Sequence, residues 1–396
     1  MQISKNFQKT DLVILAGGYG SRIKKYLKDN PKPLVKIKKI AFLDILINHY
    51  AKFPFEQIII LAGYRGNKIY KKYNNKMKNF VKIKVIVEKK PLGTGGSVGA
   101  ISNILKNNIL ITNADSFLNV NLNEIFFIKN KNVMYLTDSH HYNSNKQLSN
   151  IKIDKNGDIK KTEKGKLMNA GIYLINKKNL NIFKKNFFSL ENEIISKLIK
   201  QNKIKGKYVA NFFIDMGTEK NLKKAKIILP NILKKPALFL DRDGVINHDF
   251  GYVHKVKDFK LRPGVKEGLR KILDNGYYLF IVTNQAGVAK KIYSKNDFFH
   301  LHKTLKKYLS SINLYFHDTE FCFFHPESKI REYKKQSNFR KPGDGMVKNI
   351  LKNWFVDKNK SFFIGDKKSD KLCADKSKIR FFYAGKNFND QINELI

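Results

Sequence analysis

No apolar run in this chain of 396 residues approaches the ~18 residues that a membrane-crossing helix needs. The most apolar segments, Leu12 to Ala16, Ile58 to Ala62 and Tyr278 to Val282, are short, β-rich and end near Gly, Thr or Asn. They read as strands buried on both faces of a parallel sheet. The polar N-terminus runs into the first of them without a signal-like apolar segment, so export is not expected. Cysteine is nearly absent. Cys322 and Cys373 cannot build a disulfide framework, and a reducing, cytoplasmic setting fits.

Acidic residues are also few: 33 Asp and Glu stand against 77 Lys and Arg, a formal net charge of +44. Such an excess invites a nucleic-acid reading. Arginine is scarce too, with only Arg22, Arg65, Arg242, Arg262, Arg270, Arg331, Arg340 and Arg380, although Arg is the better fork for phosphates and base edges. The lysines are scattered among Asn, Ile, Phe and Tyr, residues with AT-rich codons. The charge therefore reads as compositional drift, and neither nucleic acid nor membrane is expected as a partner. What the basic field should still attract is phosphorylated small molecules.

Hydrophobic residues make up 42% of the chain, enough for packed cores, and the length implies two of them. Strand-like runs alternate with amphipathic stretches from Asp11 to about Leu229, and the pattern restarts at Ala237 to Leu240. Alternation of this kind predicts α/β layers. The segment from Pro230 to Pro236 is bracketed by prolines and is expected to be a linker. Two α/β domains, 1–229 and 237–396, follow.

In the first, a strand leads into Gly17-Gly18-Tyr19-Gly20-Ser21-Arg22, and Pro31-Lys32-Pro33 follows. Glycines let main-chain amides approach phosphates, and Arg22 and Lys32 add cations. This pattern resembles the signature of sugar-phosphate nucleotidyltransferases, over roughly the first 228 residues. The resemblance implies a Rossmann-like, GT-A-like mixed sheet. It implies that Gly17, Gly18, Gly20, Arg22 and Lys32 hold a nucleoside triphosphate, with Gly95 of Leu92-Gly93-Thr94-Gly95-Gly96 closing on base and ribose. Asn113-Ala114-Asp115 resembles the family's metal motif, with Ala114 in place of the usual glycine. Asp115 and Asp215 would then bind Mg²⁺, and Lys164, Asn169 and Gly171 would contact the sugar phosphate.

In the second domain, Phe239-Leu240 leads into Asp241-Arg242-Asp243-Gly244. A carboxylate at a strand end can attack phosphorus, and another two residues on can act as acid and base. Thr283-Asn284, Arg340-Lys341 and Asp366 follow, in an order that resembles the haloacid dehalogenase superfamily. The resemblance implies a Rossmannoid parallel sheet without a large cap. Asp241 would be nucleophile, Asp243 general acid/base, and Thr283 and Lys341, with Asn284 and Arg340 beside them, would hold the phosphoryl group. Mg²⁺ would sit on Asp241, Asp366 and the Asp243 carbonyl, with Asp370 supporting that site from behind.

More finely, Asp241 to Gly264 resembles the D-glycero-D-manno-heptose 1,7-bisphosphate phosphatases, with His254 as a substrate contact. Those phosphatases carry a zinc set in a later loop, where this chain has Cys322, Phe324, Ser337 and Phe339. No structural zinc is expected, and Phe324 and Phe339 are expected to pack that loop.

Removing the C7 phosphate from such a bisphosphate leaves a sugar 1-phosphate, the nucleophile that the first domain requires. The chain is therefore expected to be a bifunctional enzyme of nucleotide-sugar synthesis, with GTP as the triphosphate that the resemblance favours. Another sugar or base, or a nucleic-acid end-processing role, are the competing readings. Oligomeric state is left open.

Overall fold

The computed structural model describes residues 1, 6–27, 29–138, 150–180 and 187–396. The N-terminal half is built on a mixed sheet whose centre is β1 (Thr10–Ala16), flanked by β2 (Gln57–Ala62) and β3 (Val81–Val87) on one side. On the other lies β4 (Asn108–Asn113), and these four strands run parallel. The short β5 (Ser116–Leu118) follows β4. Continuous apolar runs occupy the central positions because helices cover both faces: Leu12, Val13 and Ile14 are fully buried. α1 (Phe42–Ala51), α2 (Gly66–Tyr73) and α3 (Gly93–Ala100) are the principal helices here. The sheet then turns antiparallel through β6 (Asn132–Asp138) and β7 (Leu167–Asn176), with β8 (Ile204–Tyr208) at the edge of β6. β9 (Phe213–Asp215) leaves this sheet to pair with β5.

The expected linker is not one. α4 (Glu219–Leu233) runs through Pro230 to Leu233. A proline inside a helix forfeits a main-chain hydrogen bond, but here Leu222, Ala225, Leu229 and Pro230 bury an apolar face against the first core. Packing outweighs that local penalty. Lys235 then bridges to Val356, so the chain enters the second domain without a free segment.

The C-terminal half is a five-stranded parallel sheet. Its strands are β10 (Ala237–Leu240), β11 (Tyr278–Asn284), β12 (Asp318–Cys322), β13 (Phe362–Gly365) and β14 (Arg380–Tyr383). β10 lies at the centre, between β11 and β13. The main helices are α5 (Val265–Asp274), α6 (Lys295–Ser311), α7 (Gly345–Asn353), α8 (Lys368–Ser377) and α9 (Phe388–Leu395). Between β10 and β11 there is one 3₁₀ turn besides α5, so no large cap is inserted there.

The halves pack directly on each other. Phe80, at φ 65°, stacks on His302 with centroids 4.6 Å apart and meets Phe298 and Phe321. Lys306 Nζ, buried in α6, donates to the carbonyls of Ala51 and Asn79 across the boundary. Lys78 pairs with buried Asp318, which also accepts from Trp354 Nε1 at 3.1 Å. Among the described residues no helix is long and apolar enough to cross a membrane.

Candidate active sites

Four parallel strands, β1 to β4, end on the same side of the first sheet, and the loops that follow them enclose a cavity of about 540 Å³. Its position outside strand carboxyl ends is where open α/β sheets bind ligands. Gly17, Gly18, Lys32 and Asp115 line it. Lys32 is 8% exposed, and its Nζ lies 2.5 Å from Asp115 Oδ2. Pairing of β5 with β9 sets Ser116 opposite Asp215, and the Ser116 hydroxyl donates to Asp115 Oδ1 (3.3 Å) and Asp215 Oδ2 (3.2 Å). Carboxylates 100 positions apart in the chain thus meet. Burial, then the like charge of Asp115, raises the pKa of Asp215. Two neighbouring carboxylates of this kind fit a hard divalent cation, which relieves their repulsion.

Other expected contacts fall elsewhere. Gly20 adopts φ 65° to turn the chain into the next helix, and a Cβ there would meet Leu27 at 2.8 Å. Arg22 is exposed on that turn and does not line the cavity. Gly95 faces away from it: its amide donates to the Phe188 carbonyl at 3.0 Å, and a Cβ would lie 2.3 Å from the Phe188 ring. Gly95 is therefore a packing glycine, because side chains one position apart on a helix point in different directions. Its neighbours Gly93 and Thr94 face the cavity. Lys164 is exposed and outside the lining. Asn169 bonds the hydroxyl of Tyr173 (2.5 Å) within a β7 irregularity. Gly171, at φ 71°, backs onto Asn113, which does line the cavity.

Sequence reasoning missed Glu88, Tyr64 and Glu191. The first two follow β3 and β2, so the rule that strand ends converge could have found them. Glu191, which accepts from Thr94 Oγ1 at 2.8 Å, carried no local signal. Tyr19 and Tyr64, with ring centroids 5.5 Å apart, sit at the mouth and offer a face for a planar ring.

The second site forms where β10, β11 and β13 end. Asp241 is buried, and its Oδ1 accepts from Arg242 N (2.7 Å) and pairs with Lys341 Nζ (2.9 Å). Oδ2 is left for an incoming atom. Lys341, 3% exposed, also reaches Asp370 Oδ1 at 2.6 Å and donates to the Val282 carbonyl at 2.8 Å. Burial alone would lower its pKa; Asp241 and Asp370 outweigh that and raise it. Asp241, Asp366 and Asp370 present oxygens within 4.8 Å of one another. Asp366 Oδ1 is buried without a partner, and a Cβ on Gly244 would lie 2.3 Å from Asp366 Oδ2. This oxygen-only cradle with an orphaned acceptor fits Mg²⁺.

Asp243 lies beside this cluster and is clamped. Arg242, fully buried, donates to it through Nε (3.0 Å) and Nη2 (2.7 Å to Oδ2). Asn247 and Gln285 add bonds of 2.9 and 3.0 Å. Arg242 was not singled out from sequence, since its direction into the core cannot be read there. Its side chain also bonds the Val253 carbonyl (2.6 Å), tying the loop before His254 to the site. His254 stacks on Tyr293 at 4.9 Å, and its Nδ1 donates to the Tyr252 carbonyl (2.8 Å). Thr283 is 1% exposed and accepts from Gln285 Nε2 at 2.9 Å. Asn284 turns to the protein instead, holding both the N–H and the carbonyl of Lys341 at 3.0 Å. Arg340 is half-buried, with Nη1 3.5 Å from the Phe324 carbonyl.

The loop after β12 is closed differently from expectation. Phe339 is 40% exposed. Phe324 does pack, half-buried against the core and against Tyr333 (6.3 Å), with Lys335 Nζ over its ring at 3.9 Å, and Phe323 joins it on Phe298 (5.2 Å) and Tyr333 (5.8 Å). Cys322, the last residue of β12, and Phe323 just beyond it are both buried.

The acidity of Asp241 is itself testable. Burial foremost, with Asp370 and Asp243, outweighs Lys341 and raises its pKa to about 6. In metal-free protein, carbon NMR should place this carboxyl's titration near that value, and added Mg²⁺ should move it lower. A midpoint at the ordinary carboxylate value, insensitive to Mg²⁺, would contradict the geometry.

Comparison with known proteins gives the same division. The model of the nucleotidyl transferase family matches residues 12–231, and that of polynucleotide kinase 3 phosphatase matches 239–393. The D-glycero-beta-D-manno-heptose-1,7-bisphosphate 7-phosphatase of Rhodopseudomonas palustris is 36% identical over 164 residues, 41% of this chain and 91% of the relative. The D-glycero-alpha-D-manno-heptose-1,7-bisphosphate 7-phosphatase of Burkholderia mallei is 42% identical over 140 residues, 35% of this chain and 73% of the relative. Among solved structures, HddC from Yersinia pseudotuberculosis is 25% identical, covering 55% of this chain and 97% of its own, with a TM-score of 0.46.

Proposed function

We propose, for a chain that belongs to the nucleotidyl transferase family through residues 12–231 and to the heptose-bisphosphate 7-phosphatases through its second half, a two-step synthesis of a nucleotide sugar. This bifunctional enzyme first removes the C7 phosphate of a D-glycero-D-manno-heptose 1,7-bisphosphate. It then transfers a nucleotidyl group, from GTP, to the heptose 1-phosphate. The observation that carries this reading is the presence of both sites in one chain, the second domain making what the first consumes.

In the phosphatase step, Asp241 Oδ2 attacks the phosphorus and the sugar alkoxide leaves, taking a proton from Asp243. Water, deprotonated by Asp243, then cleaves the phosphoaspartate and releases inorganic phosphate. Lys341 and Thr283 hold the phosphoryl oxygens, and the Arg242 clamp fixes where Asp243 delivers its proton. Asp241, Asp366 and the Asp243 carbonyl would hold Mg²⁺, which when bound offsets the repulsion between carboxylate and phosphate.

In the transferase step, an oxygen of the sugar 1-phosphate attacks the α-phosphorus of the triphosphate, and pyrophosphate leaves. Gly17 and Gly18 offer main-chain approach, Lys32 adds positive charge, and Asp115 and Asp215 would hold the second Mg²⁺. Positioning and charge neutralisation are the main contributions such a site makes. Arg22 and Lys164 take part only if ligand binding brings their exposed side chains inward. Triphosphate and sugar phosphates are cytoplasmic metabolites, which favours that compartment.

The test supplies heptose 1,7-bisphosphate, Mg²⁺ and each common nucleoside triphosphate, and identifies the nucleotide sugar by mass spectrometry. GTP should give the fastest product. Asp115→Asn should accumulate heptose 1-phosphate, with transfer slowed about a hundredfold or more. Absence of any nucleotide heptose would end this reading, and wild-type transfer by Asp115→Asn would remove Asp115 from the site.

A further inference from the structure

Between the two domains lies another cavity, of about 210 Å³, which shares no lining residue with the transferase cavity or with the phosphatase carboxylates. One wall is the C-terminal end of α1, with Asn48, His49 and Lys52; the other carries Lys235, Tyr278 and His317. His49, Lys52 and His317 are each 6–7% exposed. No carboxylate is among the lining residues. Those on adjoining elements are committed elsewhere, Asp318 to Lys78 and Trp354, and Asp357 to Lys234 at 3.9 Å.

Asn48 Nδ2 donates to the Asn353 carbonyl (2.8 Å) and the Tyr278 hydroxyl to that of Leu233 (2.6 Å), but the two histidines and two lysines are not matched by any anionic acceptor in the lining. His49 Nε2 is buried with no partner. His317 Nδ1 accepts from Leu279 N at 3.0 Å, which leaves its proton on Nε2. Among the described residues, Lys52 meets the faces of Phe53 and Tyr315, at 5.0 and 4.6 Å, and Lys235 that of Tyr278 at 5.8 Å. Ring faces and the end of a helix dipole are partial compensation, not a counter-charge. Burial, and then the neighbouring cations, push His49 and His317 well down and Lys52 to about 7, and burial lowers Lys235. Collecting four such groups around an enclosed space is unfavourable unless an anion completes it. Asn121 and Asn211 are exposed members of the lining, giving access from solvent.

We propose that this interdomain cavity binds a phosphate group, as inorganic phosphate or on a small phosphorylated sugar, held by both domains at once. Lys52 and His49 come from one domain, Lys235 and His317 from the other, so the ligand ties the domains together. Binding does not depend on the reactions proposed above, although inorganic phosphate is a product of one of them.

Crystals of the full chain grown without phosphate and soaked in sodium selenate provide the first test. Anomalous maps should show selenate in this cavity and at the Lys341 site of wild type, but only at the Lys341 site of Lys52→Met. The occupied Lys341 site is the internal control. In solution, melting temperature is followed against inorganic phosphate and, separately, glucose 6-phosphate. Without anion, Lys52→Met should melt no lower than wild type, because an unpaired buried amine is gone. With anion, wild type should gain more, with apparent affinity at this site about tenfold or more above the variant's. The ligand giving the larger gain identifies the source. Selenate at the Lys341 site alone, or equal anion-dependent gains in wild type, Lys52→Met and Lys235→Met, would overturn the proposal.

Discussion

Asp241→Asn should abolish phosphate release from the bisphosphate, by roughly a thousandfold or more, while transfer onto supplied heptose 1-phosphate continues at the wild-type rate. The amide keeps the size of the side chain and can still accept from Arg242 N, so the fold should hold. What is lost is the anionic oxygen opposite the one that Lys341 and Arg242 N occupy. Phosphate release and nucleotide-sugar formation, measured separately on the same preparation, check both halves. Residual phosphate release at wild-type rate would mean another nucleophile. Loss of both activities would mean that the domains do not act independently.

Lys341→Met is expected to cost about 3–5 kcal/mol of stability at neutral pH, as well as the phosphatase activity. Its ammonium is almost fully buried and serves Asp241, Asp370 and the Val282 carbonyl together. Removing it leaves two buried carboxylates facing each other with no cation. The pKa of Asp241 in the folded variant would rise further above its unfolded value. A raised carboxyl contributes stability below its unfolded pKa and loses it as pH climbs through the folded one. The wild-type Asp241 is already raised from 3.8 to about 6, so the variant's deficit should be smallest at acid pH and grow through and beyond that interval. Melting curves of both proteins across pH check the sign. Mg²⁺ should narrow the gap at neutral pH, since a cation on Asp241 and Asp366 replaces part of the lost charge. A deficit that is constant with pH would mean that Lys341 contributes only packing.

The chemistry-bearing positions at strand ends were legible because they are local. A buried strand that stops at Asp115, Asp241 or Asp366 exposes its last side chain at the sheet's carboxyl edge whatever else the chain does. Gly17 and Gly18 follow a strand end in the same way, and Lys32 was legible from the Pro31-Lys32-Pro33 segment. Gly95 was not: its helix direction, set by Phe188, decides which face meets the cavity. Nor was Asn284, which grips the Lys341 main chain. Pro230 misled because helix propensity is a local rule, and the packing of α4 on the first core overrode it.

The amino-acid sequence by itself determined that this chain carries two α/β domains and two phosphate chemistries, since apolar periodicity and strand-end motifs are written in short segments. Only the tertiary structure decided which groups meet. It set Asp215 beside Asp115 through pairing of β5 with β9, and Arg242 onto Asp243 in a buried clamp. It brought Lys52 and Lys235 to the same cavity across a domain boundary. Contacts between residues far apart in the chain depend on how whole sheets and helices pack, and no local pattern records that.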